Sequence, residues 1–366
     1  MLETLQLQKN NLKSYIIKEP TVQMFQILNE FGELVDKQIE PELTESELLD
    51  LYKYMVFSKV ADSKFVKLHR QGRFGAYAMV RGQEAAMVGS AYALEDQDWI
   101  FPTFRELPYW IMRKIPLSDF IAYWQGDERG LKIPTGKNVF TLSIPIATQI
   151  LHAVGSAWAS KLRHENSVSL AYFGDGATSE GDFHEGLNFA GRFQVPAILF
   201  CQNNQWAISL PRKEQTNSKT IAQKAISYGI HGIQVDGNDV LAVYEVTKYA
   251  ATNAREGNGP MLIEAFTYRL GDHNTIDNSK KYRDEGEVLE WTKKDPITRF
   301  EIYLKSKNVL DTDKISYFYD ESTRMVEEAI KTAESLAKPD VSEFFEYVYE
   351  EMTPRQREEL EEIKKF

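Results

Sequence analysis

The chain has 366 residues, which is enough for one large α/β domain or two smaller ones with a substantial core. Hydrophobic residues make up 43% and charged residues 27% of the sequence, an ordinary balance for a globular protein. The net charge of −11 argues against a general nucleic-acid binder or a protein that docks on anionic membranes, because both classes carry a basic excess.

Residues 1–45 are predicted to form an N-terminal arm. The first 20 residues contain no arginine and no apolar run long enough for a signal peptide, so we expect a cytoplasmic location. FQILNEFGELV (25–35) indicates two short strands around a turn. A helix is predicted next, because Thr44 is a suitable N-cap and apolar residues recur at helical spacing from Leu48 to Val56. No window approaches the length of a transmembrane helix.

Strand-like and helix-like segments then alternate along the chain. The predicted strands are 168–173, 195–201, 233–235 and 261–269, and the predicted helices are 153–163, 181–193 and 240–255. This alternation predicts an α/β fold with a doubly wound, mostly parallel sheet and helices on both faces. We place this domain at residues 46–300 and expect a helical C-terminal region at 301–366.

Individual residues at the element boundaries support these assignments. Asp239 precedes the helix 240–255, and Asp295-Pro296 is a cap followed by proline at the first helical position. The single cysteine, Cys201, cannot form an internal disulfide or a cysteine-rich metal site. Because it lies in an apolar strand, we interpret it as buried filler.

A Gly-Asp-Gly turn and an Asn-Asn pair follow two successive strands. Gly174-Asp175-Gly176 ends one strand, and Asn203-Asn204 ends the next, with 26 residues between the two motifs. The carboxyl ends of parallel strands meet at one edge of a sheet, where ligands bind. Carboxylate and amide oxygens are ligands that Mg²⁺ prefers, and glycines allow the backbone to approach a diphosphate. The two motifs together therefore predict a site for a metal-bound diphosphate.

The alternatives to this site are ordinary turns, a dinucleotide-binding enzyme and a non-enzymatic scaffold. Either motif alone is more often an ordinary turn or loop. A dinucleotide-binding enzyme is disfavoured, because ATSEG follows Gly176 and no G-x-G-x-x-G forms, and the next strand ends in amides. A Walker A loop is absent. A non-enzymatic scaffold with the same fold is disfavoured because the residues of the predicted site are present, and cofactor binding would distinguish it from an enzyme.

The Gly-Asp-Gly…Asn-Asn spacing resembles the thiamine diphosphate motif. Further segments extend the likeness: RQGRFGAYAMVRGQEAA, FPTFRE, SIPIATQ, IQVDGNDVLAVY and TYRLGDHNTIDNSKKYR. Together they resemble the α subunit of the decarboxylating component of 2-oxo acid dehydrogenase complexes, from about FQILNE to KKDPITRF. The resemblance implies the thiamine diphosphate-binding fold, with thiamine diphosphate and Mg²⁺ as cofactors.

The resemblance also implies roles for individual residues at the motifs. Mg²⁺ would be held by Asp175, by the side chain of Asn204 and by the backbone carbonyl of Trp206. Gly176 and Ala177 would lie against the diphosphate.

Three further segments supply the remaining implied cofactor contacts. Arg105 matches the diphosphate-binding arginine, and Phe104 stands before it where the family usually has tyrosine, so one hydroxyl contact would be lost. The backbone at Ile144 and Ile146 would flank the aminopyrimidine ring. His273 matches the active-site histidine, which would contact the diphosphate or substrate and assist acyl transfer to a lipoyl arm.

Two neighbouring segments carry secondary expectations from the same resemblance. The loop 271–285 would be mobile and ordered by the cofactor. Asn274 stands where relatives often have serine or threonine, which is sometimes a phosphorylation site, so phosphorylation at this position is not expected here. A monovalent-cation site is implied by Ser143, Pro145, Thr148 and Gln149.

The resemblance further implies that this chain holds half of an active site. The glutamate that protonates the aminopyrimidine comes from a separate β chain in this family, so a heterotetramer of two α and two β chains is expected. Carbanion attack on a small 2-oxo acid, loss of CO₂ and reductive acylation of lipoyl-lysine on an acyltransferase component would follow.

The sequence gives mixed indications of which 2-oxo acid is the substrate. Asn138 and Gln202 resemble pyruvate-type enzymes, whereas SIPIATQ and GATSEGD resemble branched-chain members. Ala76 stands where many relatives have phenylalanine, which would widen the pocket. We expect pyruvate as the substrate, with 3-methyl-2-oxobutanoate as the alternative.

Overall fold

A five-stranded parallel sheet forms the centre of the computed structural model, which describes residues 20–346 and 348–365. The strands of this sheet are β1 (Trp99–Phe101), β2 (Ser169–Gly174), β3 (Ala197–Asn203), β6 (His231–Asp236) and β7 (Met261–Phe266). Their order across the sheet is β1-β2-β3-β7-β6. A separate antiparallel ribbon follows β3 and consists of β4 (Trp206–Ala207) and β5 (Leu210–Pro211).

Helices cover both faces of this sheet. Those before β3 are α1 (Glu45–Arg70), α2 (Glu84–Tyr92), α3 (Pro108–Met112), α4 (Leu117–Trp124), α5 (Thr148–Leu162) and α6 (Gly181–Phe193). Those after it are α7 (Arg212–Gln215), α8 (Val240–Arg255), α9 (Glu285–Thr292), α10 (Pro296–Ser306), α11 (Thr312–Glu334), α12 (Glu343–Glu346) and α13 (Pro354–Ile363). Short 3₁₀ turns lie at Lys37–Ile39, Glu128–Leu131, Asp175–Ser179, Ala222–Tyr228 and Ser279–Lys281.

Alternate residues of the central strands pack into two different apolar layers. Tyr172 and Phe200 join the layer formed with α1, α2 and α8. Phe173 and Cys201 join the layer formed with α5 and α6. The sheet is thus buried on both faces, which explains the uninterrupted apolar runs of β2 and β3. The predicted doubly wound α/β fold is confirmed, and Cys201 is buried as expected.

The register of the strands sets the position of the two motifs. Gly174 pairs with Gln202, and Asn203 pairs with Phe266. The chain therefore leaves β2, β3 and β7 at one edge of the sheet, at Asp175, Asn204 and the residues after Phe266.

The predicted helix starts are confirmed by their capping bonds. Thr44 and Glu47 form a reciprocal capping box at the start of α1. Asp239 accepts hydrogen bonds from the backbone of Leu241 and Ala242 at the start of α8. Asp295 caps α10, with Pro296 at the first helical position.

The part of the N-terminal arm that the structure describes lies along the sheet edge. Residues 1–19 are outside the described residues. A turn with Gly32 at φ +73° joins Leu28 to Leu34, which form one antiparallel bridge. Phe25 bridges Val235 of β6 in parallel. The two predicted short strands are thus single bridges, held against the sheet by β6.

The C-terminal region is helical, as predicted. Helix α11 packs against α1 and α4, and the ion pairs Lys64–Glu327 and Arg73–Glu334 join α11 to α1 and to the turn after it. Helix α10 runs across the predicted boundary between residues 300 and 301, and the domain division stays a prediction. Within residues 20–346 and 348–365, no helix is long and apolar enough to cross a membrane.

Candidate functional site at the carboxyl edge of the sheet

Asp175 lies directly after β2 and is almost fully buried. Its Oδ2 accepts a hydrogen bond from Nε2 of Gln215 at 2.9 Å. Burial raises the pKa of Asp175 to about 6, and the bond from Gln215 opposes this rise. A buried carboxylate whose side-chain partner is a neutral amide is suited to a cation.

The two adjacent asparagines have different partners. Asn203 Nδ2 donates to Glu264 Oε1 at 2.6 Å, and Glu264 is itself fully buried in β7. Asn204 Nδ2 donates to Gln83 Oε1 at 2.9 Å, while Asn204 Oδ1 accepts from the backbone N of Trp206 at 3.3 Å. Asn203 therefore supports the sheet, and Asn204 faces the site.

Arg105 connects the FPTFRE segment to the predicted active-site histidine. Its guanidinium donates through Nη2 to the backbone oxygen of His273 at 2.8 Å and to His273 Nδ1 at 3.0 Å, and through Nη1 to the backbone oxygen of Met79. Burial lowers the pKa of Arg105 to about 10, and the nearby Arg269 adds to this effect. The Phe104 ring lies 5.2 Å from the Arg105 guanidinium carbon and edge-on to His273.

Arg269, for which the sequence predicted no role, is a second buried guanidinium beside His273. Its Nη1 lies 3.4 Å from His273 Nδ1 and donates to the backbone oxygen of Trp206 at 3.2 Å. Its Nη2 donates to Ile208 O at 2.8 Å and to the Tyr282 hydroxyl at 3.2 Å. Burial lowers the pKa of His273 to about 4, and the positive charges of Arg105 and Arg269 add to this effect. The imidazole is therefore neutral at neutral pH.

The loop that carries His273 is held by its own carboxylates. Asp277 accepts from the backbone N of His273 at 2.8 Å and from the Tyr282 hydroxyl. Asp272 accepts from the backbone N of Ser279 at 2.9 Å. The loop has a defined course in the structure, and its ordering by a cofactor stays a prediction.

Gly176 lies where a side chain would not fit. A Cβ atom at Gly176 would be 2.8 Å from Cβ of Ala207 in β4, whereas one at Gly174 would meet nothing within 4 Å. Ala177 is buried in the same 3₁₀ turn. The ribbon β4–β5 thus closes over the turn that contains Asp175.

Ile144 and Ile146 are half-exposed. Val139 bridges Ile100 of β1 in parallel, so the chain after it runs toward the carboxyl edge of the sheet. The predicted cation ligands do form one cluster there: Ser143 Oγ lies 3.2 Å from Thr148 Oγ1, and Gln149 Nε2 donates to the backbone oxygens of Ser143 and Pro145.

The residues invoked for substrate choice are dispersed. Asn138 donates to the backbone oxygen of Gln97, at the amino end of β1, so its side chain lies away from this edge. Gln202 donates to the buried carboxylate of Glu106, next to Arg105 in the sequence. Ala76 is exposed and lines a cavity of about 330 Å³ with Tyr123 and Trp124, among other residues.

The arrangement fits a metal-bound diphosphate. Asp175, Asn204 and the Trp206 carbonyl offer hard oxygen donors, although Arg269 also bonds that carbonyl. Burial lowers the pKa of both Arg105 and Arg269, so an anion beside these guanidiniums would stabilise their charges. Among the described residues no three His, Cys, Asp or Glu side chains form a metal cluster.

Comparison with known proteins identifies the family. The family described as "Dehydrogenase E1 component" matches residues 52–342. The chain belongs to this family. It is 41% identical over 362 residues to the protein named "Pyruvate dehydrogenase E1 component subunit alpha" in Staphylococcus aureus (strain Mu50), covering 99% of this chain and 98% of that relative. The protein of the same name in Staphylococcus epidermidis (strain RP62A) gives the same identity and coverage. The family resemblance seen in the sequence is therefore confirmed.

Sequence reasoning missed three side chains of this family site: Gln83, Arg269 and Asp277. Each lies in a segment that carried the family resemblance, RGQEAA or TYRLGDHNTID, so the segments were found without their individual roles. The signal that distinguishes them is a bond to a predicted site residue, with burial in addition for Gln83 and Arg269, and neither can be derived from sequence spacing.

Proposed function

We propose that the chain is the α subunit of a thiamine-diphosphate-dependent pyruvate dehydrogenase. The reaction is decarboxylation of pyruvate with transfer of the acetyl group to a lipoyl-lysine of an acyltransferase component. The observation that carries this proposal is the convergence of Arg105 and Arg269 on His273, at the same sheet edge as Asp175 and Asn204. The names of the relatives favour pyruvate over a branched-chain 2-oxo acid.

We assign Mg²⁺ to Asp175, Asn204 Oδ1 and the carbonyl of Trp206. These three groups follow β2 and β3 at one edge of the sheet, and each has an oxygen lone pair available for a hard cation. Mg²⁺ keeps several positions for water and phosphate oxygens, so three protein ligands are sufficient.

The diphosphate is assigned to the turn and the guanidinium next to this metal site. Gly176 and Ala177 allow close approach of the backbone, and Arg105 offers a planar pair of donors that matches phosphate oxygens. Phe104 supplies a ring and no hydroxyl, so the backbone and Arg105 carry the phosphate contacts at this point. The backbone at Ile144 and Ile146 is assigned to the aminopyrimidine end.

Bound thiamine diphosphate supplies a carbanion and an electron sink for the loss of CO₂. His273 is neutral, and since Arg105 donates to its Nδ1, its proton is on Nε2. In acyl transfer the lipoyl S–S bond breaks, one sulfur receives the acetyl group, and the other needs a proton. We assign the Nε2–H of His273 to a hydrogen bond with that sulfur, which takes its proton from water.

A second chain is needed to complete the site. Each carboxylate described at this edge is already bonded within the chain: Asp175 to Gln215, Glu106 to Thr103 and Gln202, and Asp277 to His273 and Tyr282. In agreement with the family resemblance, we assign the acid that protonates the aminopyrimidine to a β subunit. The half-exposed Ile144 and Ile146 are suited to burial against it, in an assembly of two α and two β chains.

The test is to co-express this chain with its β partner and measure CO₂ release with an artificial electron acceptor. We expect turnover of pyruvate to depend on Mg²⁺ and thiamine diphosphate and to exceed that of 3-methyl-2-oxobutanoate. Asp175→Ala is expected to abolish turnover, whereas Asp320→Ala, at an exposed position of α11, should not. Turnover by the α chain alone would contradict the two-chain site, and a preference for the branched acid would contradict the substrate assignment.

A further inference from the structure

Gln83 is a buried amide that contacts the proposed metal ligand Asn204. Its side chain is fully buried at the start of α2, and its Oε1 accepts from Asn204 Nδ2 at 2.9 Å. Its Nε2 is also buried and has no hydrogen-bond partner among the described residues. A buried donor without a partner destabilises a fold. Stability alone therefore does not explain why glutamine occupies this position.

The contacts with Gln83 and with the backbone N of Trp206 together determine which end of the Asn204 amide faces the site. A cation binds the oxygen of an amide and is repelled by its NH₂ group. In the observed orientation Asn204 Nδ2 donates to Gln83, and Oδ1 accepts from the backbone N of Trp206. If the amide turned over, Nδ2 would face the N–H of Trp206 and Oδ1 would face Gln83 Oε1. The backbone N–H of Trp206 can only donate, so it sets the direction of the amide, and the shorter 2.9 Å bond to Gln83 holds Nδ2 on the opposite side.

The backbone at Gln83 is itself held in place. Gly82 precedes it with φ +93°, a conformation that favours glycine. The backbone N of Gly82 donates to Glu84 Oε2 at 2.8 Å, and its oxygen accepts from Thr267 Oγ1 at 3.0 Å. Thr267 directly follows β7, so the turn that presents Gln83 is joined to the same sheet edge as the metal site.

We propose that Gln83 is a positioning residue, which fixes the side-chain amide of Asn204 so that Oδ1 is presented to the divalent cation. This role rests on the proposed function, since it requires a metal at Asp175 and Asn204. Gln83 acts through Asn204 and needs no contact with the metal.

The test measures metal affinity in the assembled α and β protein, with Mn²⁺ as the probe in electron paramagnetic resonance at saturating thiamine diphosphate. Gln83→Met, which removes the acceptor, is expected to weaken Mn²⁺ binding roughly tenfold or more. Gln83→Glu keeps an oxygen acceptor for Asn204 Nδ2 and is expected to stay within about threefold of the wild type. Gln97→Met, at an exposed position beyond the amino end of β1, serves as the matched control.

A double-mutant cycle distinguishes positioning from a merely structural role. If Gln83 acts through Asn204, adding Gln83→Met to Asn204→Ala should weaken Mn²⁺ binding no further. An additive loss in the double variant, or wild-type affinity in Gln83→Met, would overturn the inference while leaving the proposed function intact. Failure of the wild type to bind Mn²⁺ with thiamine diphosphate would overturn both. The melting temperatures of the metal-free variants should match that of the wild type. If the melting temperature of Gln83→Met alone falls strongly, the test rests on Gln83→Glu. A loss of Mn²⁺ affinity in Gln83→Glu would also overturn the inference.

Discussion

Arg105 and His273 are joined by two contacts from one guanidinium nitrogen, to the imidazole Nδ1 and to the backbone oxygen of His273. A guanidinium can only donate, so Nδ1 accepts and the neutral imidazole carries its proton on Nε2. The contact thus fixes both the position and the tautomer of the histidine. It also explains why a residue 168 positions away in sequence matters for the chemistry of His273.

The first prediction concerns the geometry of the Arg105 guanidinium. Arg105→Lys keeps the charge but cannot bridge Met79, His273 and a phosphate with one ammonium group. We expect thiamine diphosphate affinity, measured by calorimetry, to fall roughly 10- to 100-fold. Arg113→Lys is the matched control, because Arg113 is equally buried and donates to the backbone oxygens of Glu95 and Asp96 far from the site. Equal losses of affinity in both variants would contradict the assignment.

The second prediction is a pH dependence due to His273. Its pKa is about 4 in the folded chain and has the ordinary value of 6.5 when unfolded. As the pH falls from 6.5 to 4, His273 takes up a proton in the unfolded chain but not in the folded chain. The free energy of unfolding therefore falls between these two pH values. His273→Gln should lose less stability than the wild type between about pH 7 and 5 in urea unfolding. Exposed His231→Gln should behave as the wild type, and a steeper loss in His273→Gln would refute the prediction.

The third prediction has the opposite sign and concerns Glu84. Burial, with Asp295 adding to it, raises the pKa of Glu84 to about 8. The stability contributed by the neutral acid is present below the unfolded value of 4.5 and is lost as the pH rises through 8. Glu84→Gln stays neutral, so its melting temperature should fall less than that of the wild type between about pH 5 and 8. Exposed Glu185→Gln is the control, and parallel curves for Glu84→Gln and wild type would contradict a raised pKa.

The fourth prediction separates the two asparagines. Asn203→Ala removes one partner of the buried Glu264, so the free energy of unfolding should fall by about 1–3 kcal/mol, measured by urea unfolding. Asn204→Ala should instead weaken metal-dependent cofactor binding without a comparable loss of stability. If folded Asn203→Ala weakens metal binding as strongly as Asn204→Ala does, the assignment of Asn203 to stability and of Asn204 to the metal is wrong.

The sequence predicted the elements whose signals are local. Helix α8 was predicted at 240–255 and lies at Val240–Arg255, because its cap and its periodicity are both contained within those residues. Strand β1 was not predicted, because Trp99–Phe101 is only three residues long and is a strand only through its pairing with β2. The N-terminal bridges likewise depend on β6, which lies far along the chain from Phe25.

The candidate site was predicted to a similar extent. The Gly-Asp-Gly and Asn-Asn motifs could be predicted to lie close together, because each follows a strand and parallel strands bring their carboxyl ends together. The contacts of Gln83, Arg269 and Asp277 were not, because each joins segments that are distant in sequence or lie in an irregular loop. Asn138 shows the converse: its residue type resembled pyruvate-type enzymes, yet its side chain bonds Gln97 away from the site.

The last prediction concerns the two glycines around Asp175, which differ in their surroundings. A Cβ at Gly176 would be 2.8 Å from Ala207, so Gly176→Ala must displace the ribbon that carries Trp206. We expect a loss of about 1–3 kcal/mol of metal-free stability together with weaker cofactor binding, because the Trp206 carbonyl moves. Gly174→Ala meets nothing within 4 Å and has φ −88°, so its metal-free stability should match the wild type. If Gly174→Ala nevertheless weakens thiamine diphosphate binding in calorimetry, the open space at Gly174 is where the diphosphate lies. If only Gly176→Ala weakens binding, the loss follows the displaced Trp206 carbonyl, and the open space at Gly174 is not where the diphosphate lies.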